Sequence, residues 1–157
     1  MDESQITLRR AEPADAPAVG ALTRAAYAKW VPLLGREPKP MTADYAVAVR
    51  DHLIHLLFVA GDLAALVEMI PQPDHILIEN LAVSPDFQGG GHGRRLMGHV
   101  EEVAAESGLG TVRLYTNKLF AANLRFYAQL GYVVDGEEAF KGGYLVHMSK
   151  RIAALPA

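Results

Sequence analysis

The sequence has no cysteine among its 157 residues. The chain therefore cannot form a disulfide framework, use a thiolate as a nucleophile or bind a metal through thiolate ligands. No apolar stretch approaches the roughly 20 residues that a helix needs to cross a bilayer. The N-terminus, Met1-Asp2-Glu3-Ser4-Gln5, is too acidic and polar for a signal peptide. We therefore expect a cytoplasmic protein that does not use a membrane as a partner.

A strong excess of charge of one sign is also missing. The formal net charge is -3 and the isoelectric point is near 6.0, so we expect no nucleic-acid partner. Among the six histidines, His52 and His55 lie three residues apart, but no H-E-x-x-H motif is present and we expect no metal site. The absence of a G-x-S-x-G elbow argues against a serine hydrolase.

Length and hydrophobic periodicity predict one domain that covers residues 1–157. Alternating and helical patterns follow one another as β-α-α-β-β-β-α-β-α-β-β, which predicts a mixed α/β layer fold around one sheet. The second helix is predicted over 42–53, with Thr42 as its N-cap. Strands are predicted at 6–9, 54–60, 63–70, 76–83, 111–116, 132–134 and 144–148, and the other helices begin at 13, after 93 and at 119.

The most informative stretch is 83–97, where a predicted strand enters a glycine cluster and a predicted helix leaves it. Glycine permits positive φ and lets a ligand approach the backbone closely. The N–H groups of a helix's first turn have no partner within the helix and lie at the positive end of its dipole, so they bind phosphate oxygens. Arg94 and Arg95 add positive charge. These features predict an anion site.

The spacing of the cluster excludes two common nucleotide motifs. A P-loop ends in Gly-Lys-Ser/Thr, whereas Gly93 is followed by Arg94. The dinucleotide pattern G-x-G-x-x-G fails from either possible starting glycine. The pattern present is Q-x-x-G-x-G, filled by Gln88, Gly91 and Gly93.

A second block lies about 35 residues later, where Tyr127 precedes the pair Gly131-Tyr132 by four residues. Together with the Q-x-x-G-x-G pattern and the element order, it resembles the GNAT acetyltransferase superfamily over nearly the whole chain. The resemblance implies a single-domain GNAT-like fold with a central, mostly antiparallel mixed sheet flanked by helices. It also implies an N-acetyltransferase that uses acetyl-CoA and no metal, and it is compatible with a homodimer.

The resemblance further implies which residues bind the cofactor. Backbone amides of the glycine loop would bind the pyrophosphate, and the preceding strand would bind the pantetheine arm. Phe120 stands where the family usually has asparagine, so the flanking Asn117 and Asn123 are the candidates for that role. The cofactor-binding set is Leu81, Ala82, Val83, Gln88, Gly89, Gly90, Gly91, His92, Gly93, Arg94, Asn117, Asn123 and Tyr127.

Two side chains are candidates for catalysis. Tyr127 is the candidate general acid, because a phenol is protonated at neutral pH and can supply the proton that a leaving thiolate needs. The alternative is an aromatic that packs in the core. Glu79 is the candidate base, because a carboxylate inside the apolar run 76–81 is costly unless it is used or paired. A structural carboxylate at a sheet edge, or one paired with a neighbouring arginine, is an equal alternative.

The amine acceptor is expected where the first helices and the proline-rich loop meet the sheet. Arg36 there would favour an acceptor that carries a carboxylate or phosphate. The predicted lining is Trp30, Arg36, Met41, Tyr45 and Tyr115. A core role for Trp30 and Tyr45 and a solvated charge at Arg36 are the alternatives.

Two other functions stay open at this point. A non-catalytic acyl-CoA sensor or partner-binding module would keep the glycine loop but need neither Glu79 nor Tyr127. An acyltransferase for longer acyl groups would share every motif named above. The acceptor is a primary amine of a small molecule or a peptide, and the sequence does not identify it.

Overall fold

A computed structural model of the chain describes residues 5–153. The acidic segment 1–4, discussed above, lies outside the described residues, as does 154–157. The strands are β1 Ile6–Arg10, β2 Leu53–Val59, β3 Asp62–Pro71, β4 Ile76–Val83, β5 Thr111–Asn117, β6 Val133–Phe140 and β7 Gly143–Arg151. The helices are α1 Ala16–Tyr27, α2 Val31–Leu34, α3 Lys39–Thr42, α4 Tyr45–Asp51, α5 His92–Glu106 and α6 Ala121–Gln129.

The seven strands of residues 5–153 form one mixed sheet in the order β1-β2-β3-β4-β5-β7-β6. β1 with β2, β2 with β3, β5 with β7 and β6 with β7 are antiparallel pairs. β4 and β5 run parallel, with Ile76 opposite Val112 and Ile78 opposite Leu114. The predicted mixed, mostly antiparallel sheet flanked by helices is therefore confirmed.

The described residues group into two compact units, one of 5–69 and 80–97 and the other of 70–79 and 98–153. In the first unit, apolar faces of α1 and α4 pack with β2 and β3. Its core includes Val19, Leu22, Ala26, Tyr45, Val49, Ile54, Leu56, Leu66 and Ala82. In the second unit, alternate residues of β4, β5 and β7 are buried, including Ile76, Ile78, Val112, Leu114, Val146 and Met148. The single domain over 1–157 stays a prediction.

A buried polar network joins the helices of the first unit to β4. The side-chain amide of Asn80 donates to Thr23 Oγ1 at 3.1 Å and to the Tyr45 hydroxyl at 3.3 Å. That hydroxyl donates in turn to the carbonyl of Pro40 at 2.7 Å. Buried polar groups are retained where they are hydrogen-bonded, and this network holds α1, α4 and the segment before Met41 in one arrangement.

The structure corrects the predicted helix over 42–53. α3 ends at Thr42, whose hydroxyl donates to the carbonyl of Lys39 at 3.2 Å. Ala43 is extended, and α4 begins at Tyr45 with Asp44 as its N-cap. The Asp44 carboxylate accepts the N–H groups of the second and third helical residues, at 3.1 and 3.3 Å. An Asp carboxylate caps a helix at least as well as a Thr hydroxyl, which explains the later start.

The structure also extends the last two predicted strands. β6 and β7 pair from Val133 opposite Ser149 to Phe140 opposite Gly143, around a turn in which Lys141 and Gly142 have positive φ. Hydrophobic periodicity did not predict the full length of β6, because this strand is an exposed edge of the sheet and carries charged residues such as Glu137 and Glu138.

One ion pair fixes the entry to α1. Arg9 donates to both carboxylate oxygens of Asp15, at 2.7 and 2.9 Å, and the N–H of Glu12 donates to the same carboxylate at 2.7 Å. The hydrogen bond from Arg9, followed by that from Glu12, lowers the pKa of Asp15 from 3.8 to about 2. A lowered pKa in the folded state stabilises the fold above the unfolded-state pKa, and this contribution disappears as the pH falls through about 2.

We expect Asp15→Asn to lower the free energy of unfolding by about 1 kcal/mol at pH 7, after allowance for solvent screening of a partly exposed pair. Urea titration at pH 7 and at acidic pH measures the effect, which should shrink between pH 4 and pH 2. Asp51→Asn removes the surface pair with Arg50 and serves as the control. A pH-independent loss in Asp15→Asn would contradict the assignment.

Candidate functional site

Alternate residues of β4 have different surroundings. Ile76, Ile78, Asn80 and Ala82 are buried, whereas the side chains between them are half-buried. This second set is Leu77, Glu79, Leu81 and Val83. Since successive side chains of a strand point to opposite faces, Glu79 shares its face with two of the three residues predicted to bind the pantetheine arm.

β4 leads into the glycine loop within the first unit. The N–H of Ser84 donates to the carbonyl of Ala64 at 2.8 Å, and a short 3₁₀ turn covers Pro85–Phe87. Gly89 and Gly91 have φ of +85° and +78°, and at both positions an added Cβ would meet no atom within 4 Å. Glycine is thus required there by backbone conformation, because other L-residues rarely adopt positive φ. The surface of the loop stays open to a ligand.

The helix predicted after the loop begins at His92 and extends to Glu106. The N–H of Arg95 makes an early intrahelical bond to Gly91 at 3.0 Å. The N–H groups before it belong to the first turn, which concentrates unpaired donors and the positive end of the dipole beside the loop. Arg94 is exposed at this end of the helix. The predicted anion-binding features therefore lie together on one continuous segment.

Tyr127 lies on α6 in the second unit. The N–H of Gly131 donates to the carbonyl of Ala128 at 3.0 Å, and the N–H of Tyr132 donates to that of Tyr127 at 3.1 Å. With φ of +97° at Gly131, these bonds form a Schellman motif at the helix end. The motif also brings the Tyr132 ring to 6.1 Å from the Tyr127 ring. The spacing noted in the sequence thus has a structural cause.

The Tyr127 side chain is 8% exposed. Burial raises the pKa of its phenol well above the ordinary value of 10.0, because the charged phenolate is disfavoured away from water. The hydroxyl is therefore protonated throughout the range in which proteins work. A buried, protonated phenol can act as a proton donor and cannot act as a base without large cost.

Glu79 and Tyr115 meet in the second unit, on the parallel pair of strands. The Tyr115 hydroxyl donates to Glu79 Oε1 at 2.8 Å. A hydrogen bond to a carboxylate is stronger than one between neutral groups, so Tyr115 orients the candidate base. Tyr115, predicted on the acceptor side, is thereby placed next to Glu79.

Sequence reasoning missed His147 and Glu138. His147 lies opposite Tyr115 on β7, with the two ring centroids 5.9 Å apart, and its Nε2 is 2.9 Å from Glu138 Oε1. Glu79, Tyr115, His147 and Glu138 therefore follow one another across adjacent strands. Only the strand order could have revealed this row, since the four residues are separated by up to 68 positions in the chain.

The two candidate asparagines make local contacts. Asn117 Oδ1 accepts the N–H of Leu119 at 2.9 Å, an Asx turn that leads into α6. Asn123 is half-buried on α6 and donates to Thr116 Oγ1 at 3.4 Å. Phe120, which stands in the usual asparagine position, is buried as the N-cap residue of α6.

The other predicted acceptor residues lie in the first unit, along the chain from the end of α1 to the first residue of α4. Trp30 is half-buried, with Lys29 Nζ 5.2 Å from its ring centroid. Arg36 and Met41 are also half-buried, whereas Tyr45 is buried and hydrogen-bonded to Pro40 and Asn80. The Tyr45 hydroxyl therefore holds the segment that carries Met41 through its hydrogen bond to the Pro40 carbonyl.

The described chain, residues 5–153, contains no helix long and apolar enough to cross a membrane. Within the same residues, no cluster of three or more His, Asp or Glu side chains could hold a metal ion. His52 Nδ1 lies 2.6 Å from Oε2 of the buried Glu68.

Several known proteins are similar to this chain in sequence or in fold. N-alpha-acetyltransferase 80 of Mus musculus is 38% identical over 69 residues, which are 44% of this chain and 21% of that protein. The ribosomal-protein-S18-alanine N-acetyltransferase of Escherichia coli superposes with a TM-score of 0.77, at 23% identity, over 97% of this chain and 96% of its own. PaiA N-acetyltransferase of Thermoplasma acidophilum, solved with coenzyme A, gives a TM-score of 0.75 at 19% identity over 93% and 98%.

At these identities the two structures show a shared fold, and the curated relative is matched over about a fifth of its length. The family model described as Acetyltransferase (GNAT) family matches residues 20–132. That range includes β4, the glycine loop, α5 and α6. The chain therefore belongs to the GNAT family of acetyltransferases.

Proposed function

We propose that this protein transfers acetyl from acetyl-CoA to a primary amine by direct attack of the amine, with Glu79 as base and Tyr127 as acid. The observation that carries the proposal is the segment of β4, the glycine loop and α5, where Gly89 and Gly91 hold positive φ before a long helix. Such a segment presents backbone donors to a phosphate group. The family match supports acetyl-CoA as the molecule that carries this phosphate.

The residues of the loop fit the cofactor chemically. An added Cβ at Gly89 or Gly91 would meet no atom within 4 Å, so neither position is covered by the rest of the protein, and the backbone amides of Gln88 to Arg94 are the proposed pyrophosphate donors. Leu81, Ala82 and Val83 would hold the pantetheine arm through their backbone, and Asn117 and Asn123 are polar groups for the rest of the cofactor. Bound acetyl-CoA supplies an activated thioester.

The catalytic roles follow from the protonation states that the reaction requires. An amine attacks as the neutral base, so a carboxylate such as Glu79 must accept its proton, directly or through water. The departing thiolate needs a proton, which the buried hydroxyl of Tyr127 can donate. Tyr115 supports the base by its hydrogen bond to Glu79.

The first unit holds four of the residues proposed for the acceptor. Trp30, Arg36 and Met41 are half-buried there, as a lining exposed to a ligand requires, and the buried Tyr45 donates a hydrogen bond to the Pro40 carbonyl. In the second unit, Tyr115 is the proposed acceptor residue and lies beside Glu79. A guanidinium at Arg36 would favour an acceptor with a carboxylate or phosphate. A homodimer and a cytoplasmic location stay predictions of the sequence.

Gly91→Ala should weaken coenzyme A binding by about tenfold. Alanine at φ of +78° is strained by about 1–2 kcal/mol, and relief of that strain moves the amides out of position. Gly98→Ala is the matched control, because Gly98 lies inside α5 with open space around its Cβ position and no positive φ. The control should bind as wild type and gain up to about 1 kcal/mol of stability. Calorimetry with coenzyme A measures the affinity of each variant. Equal affinities of the two variants would show that the glycine loop is not part of the cofactor site.

The function itself is tested by thiol release from acetyl-CoA in the presence of candidate amines. The names of the relatives suggest peptides with a free N-terminal amine as candidate acceptors. A spermidine N-acetyltransferase of Vibrio cholerae shares the fold with a TM-score of 0.71, so polyamines should be tested as well. Acceptor-dependent release supports the transferase. Binding without release for every amine supports the non-catalytic sensor instead.

A further inference from the structure

His92, the first residue of α5, carries a buried imidazole ring. The side chain is 3% exposed. Neither Nδ1 nor Nε2 has a hydrogen-bond partner among residues 5–153. Two buried polar atoms without partners destabilise a fold by about 1–3 kcal/mol each. Such atoms are rare in native proteins and call for an explanation, of which a ligand is one.

The ring of His92 turns back over the glycine loop. A Cβ added to Gly90 would lie 2.8 Å from Nε2, and the ring packs edge-on against Phe87 with centroids 6.2 Å apart. Gly90 stands between the two loop glycines with positive φ. The imidazole therefore contacts the backbone of the segment assigned to the pyrophosphate, at the N-terminal end of a 15-residue helix.

Packing alone does not account for a histidine here. Leucine has similar size and no polar atoms, so it would fill the same space without the desolvation cost. A neutral imidazole carries one N–H donor, and an N–H donor in a site with little water binds an anionic oxygen strongly. The same unpaired donor that weakens the empty protein would stabilise a phosphate in the loop.

We propose that the His92 side chain binds the diphosphate of acetyl-CoA directly, with a ring N–H donating to a diphosphate oxygen. The inference rests on the proposed function and goes beyond it, because that function uses only backbone amides in this loop. It gives the loop one side-chain ligand that selects for the negatively charged group.

Two substitutions separate a donor from a packing residue. His92→Leu removes the donor, and it should weaken coenzyme A binding at least tenfold by calorimetry while it raises the Tm of the empty protein by about 2–4 °C. His92→Gln keeps an amide N–H at the reach of Nε2 and should restore affinity to within about threefold of wild type. His75→Gln, at a half-buried position beside Asp74, is the control and should bind as wild type.

Nitrogen NMR of the imidazole rings, assigned with His92→Gln, supplies a readout independent of affinity. Addition of coenzyme A should shift one ring nitrogen of His92 toward a hydrogen-bonded N–H. Wild-type affinity in His92→Leu, equal weakening in the Leu and Gln variants, or an unmoved His92 signal at saturation would each overturn the inference and leave the proposed function intact. Failure of the wild-type protein to bind coenzyme A would instead remove the proposed function, and the inference with it.

Discussion

Tyr127→Phe should lower kcat by about 10²- to 10³-fold and leave the affinity for acetyl-CoA within a factor of two. The substitution removes one buried hydroxyl and keeps the ring contacts to Phe126 and Tyr132, at 5.2 and 6.1 Å. Loss of a proton donor affects the step in which the thiolate leaves, and not the binding of the cofactor. Steady-state kinetics with a responsive amine and calorimetry with acetyl-CoA measure the two effects separately.

The pH dependence sharpens this expectation. Since burial raises the pKa of Tyr127 above its ordinary 10.0, the acid form persists across the accessible range, and the variant should be slower by the same factor at pH 6 and pH 9. Tyr144→Phe, which removes the hydroxyl of an exposed tyrosine, should have wild-type kcat. A kcat for Tyr127→Phe within a factor of three of wild type would make Tyr127 a packing residue.

Glu79→Gln should lower kcat/KM by about 10²-fold near neutral pH, because an amide cannot accept the proton of the attacking amine. Gln has nearly the size of Glu and keeps an oxygen that can accept the hydrogen bond of the Tyr115 hydroxyl. In the wild-type structure that hydroxyl lies 2.8 Å from Glu79 Oε1. The fall in kcat/KM therefore measures what the negative charge of Glu79 contributes. Initial rates from pH 5 to pH 9 measure it.

Two further variants separate a base from a structural carboxylate. Glu102→Gln removes an exposed carboxylate of α5 and should leave kcat/KM unchanged. Tyr115→Phe should lower the rate by a smaller factor, and the loss should vanish in the Glu79→Gln background, because Tyr115 acts through Glu79. A kcat/KM for Glu79→Gln within a factor of three of wild type would show that Glu79 is structural and that water serves as the base.

Some of the site could be predicted because single positions have strict backbone requirements. Gly91 holds positive φ at the start of α5, and Gly131 holds it at the end of α6, and few residues other than glycine adopt this conformation. The spacing of Tyr127 to Gly131-Tyr132 follows from the Schellman motif that closes α6. Patterns of this kind are visible in a sequence because they depend on neighbours along the chain.

Other parts depend on contacts between distant segments. The bond from Tyr115 to Glu79 needs β4 parallel to β5, and the position of His147 needs β7 beside β5. No local pattern specifies either pairing. The predicted start of α4 at Thr42 was wrong because Thr42 and Asp44 are both good N-cap residues. The extended backbone at Ala43 ends α3 before α4 begins.

The buried state of His92 was equally hidden, since its neighbours in the sequence are glycines and arginines. A residue between exposed glycines would ordinarily be assigned to the surface. Its burial and unpaired nitrogens appear only once the ring is seen to turn back onto Gly90.

Mass spectrometry of candidate amines after incubation with acetyl-CoA tests the central claim most directly. The wild-type protein should add the mass of one acetyl group to at least one class of primary amine, in step with thiol release, and Tyr127→Phe should form that product far more slowly. Coenzyme A binding with no acetylated product from α-amines, lysine side chains, amino acids or polyamines would contradict the claim and favour a non-catalytic binder of the cofactor.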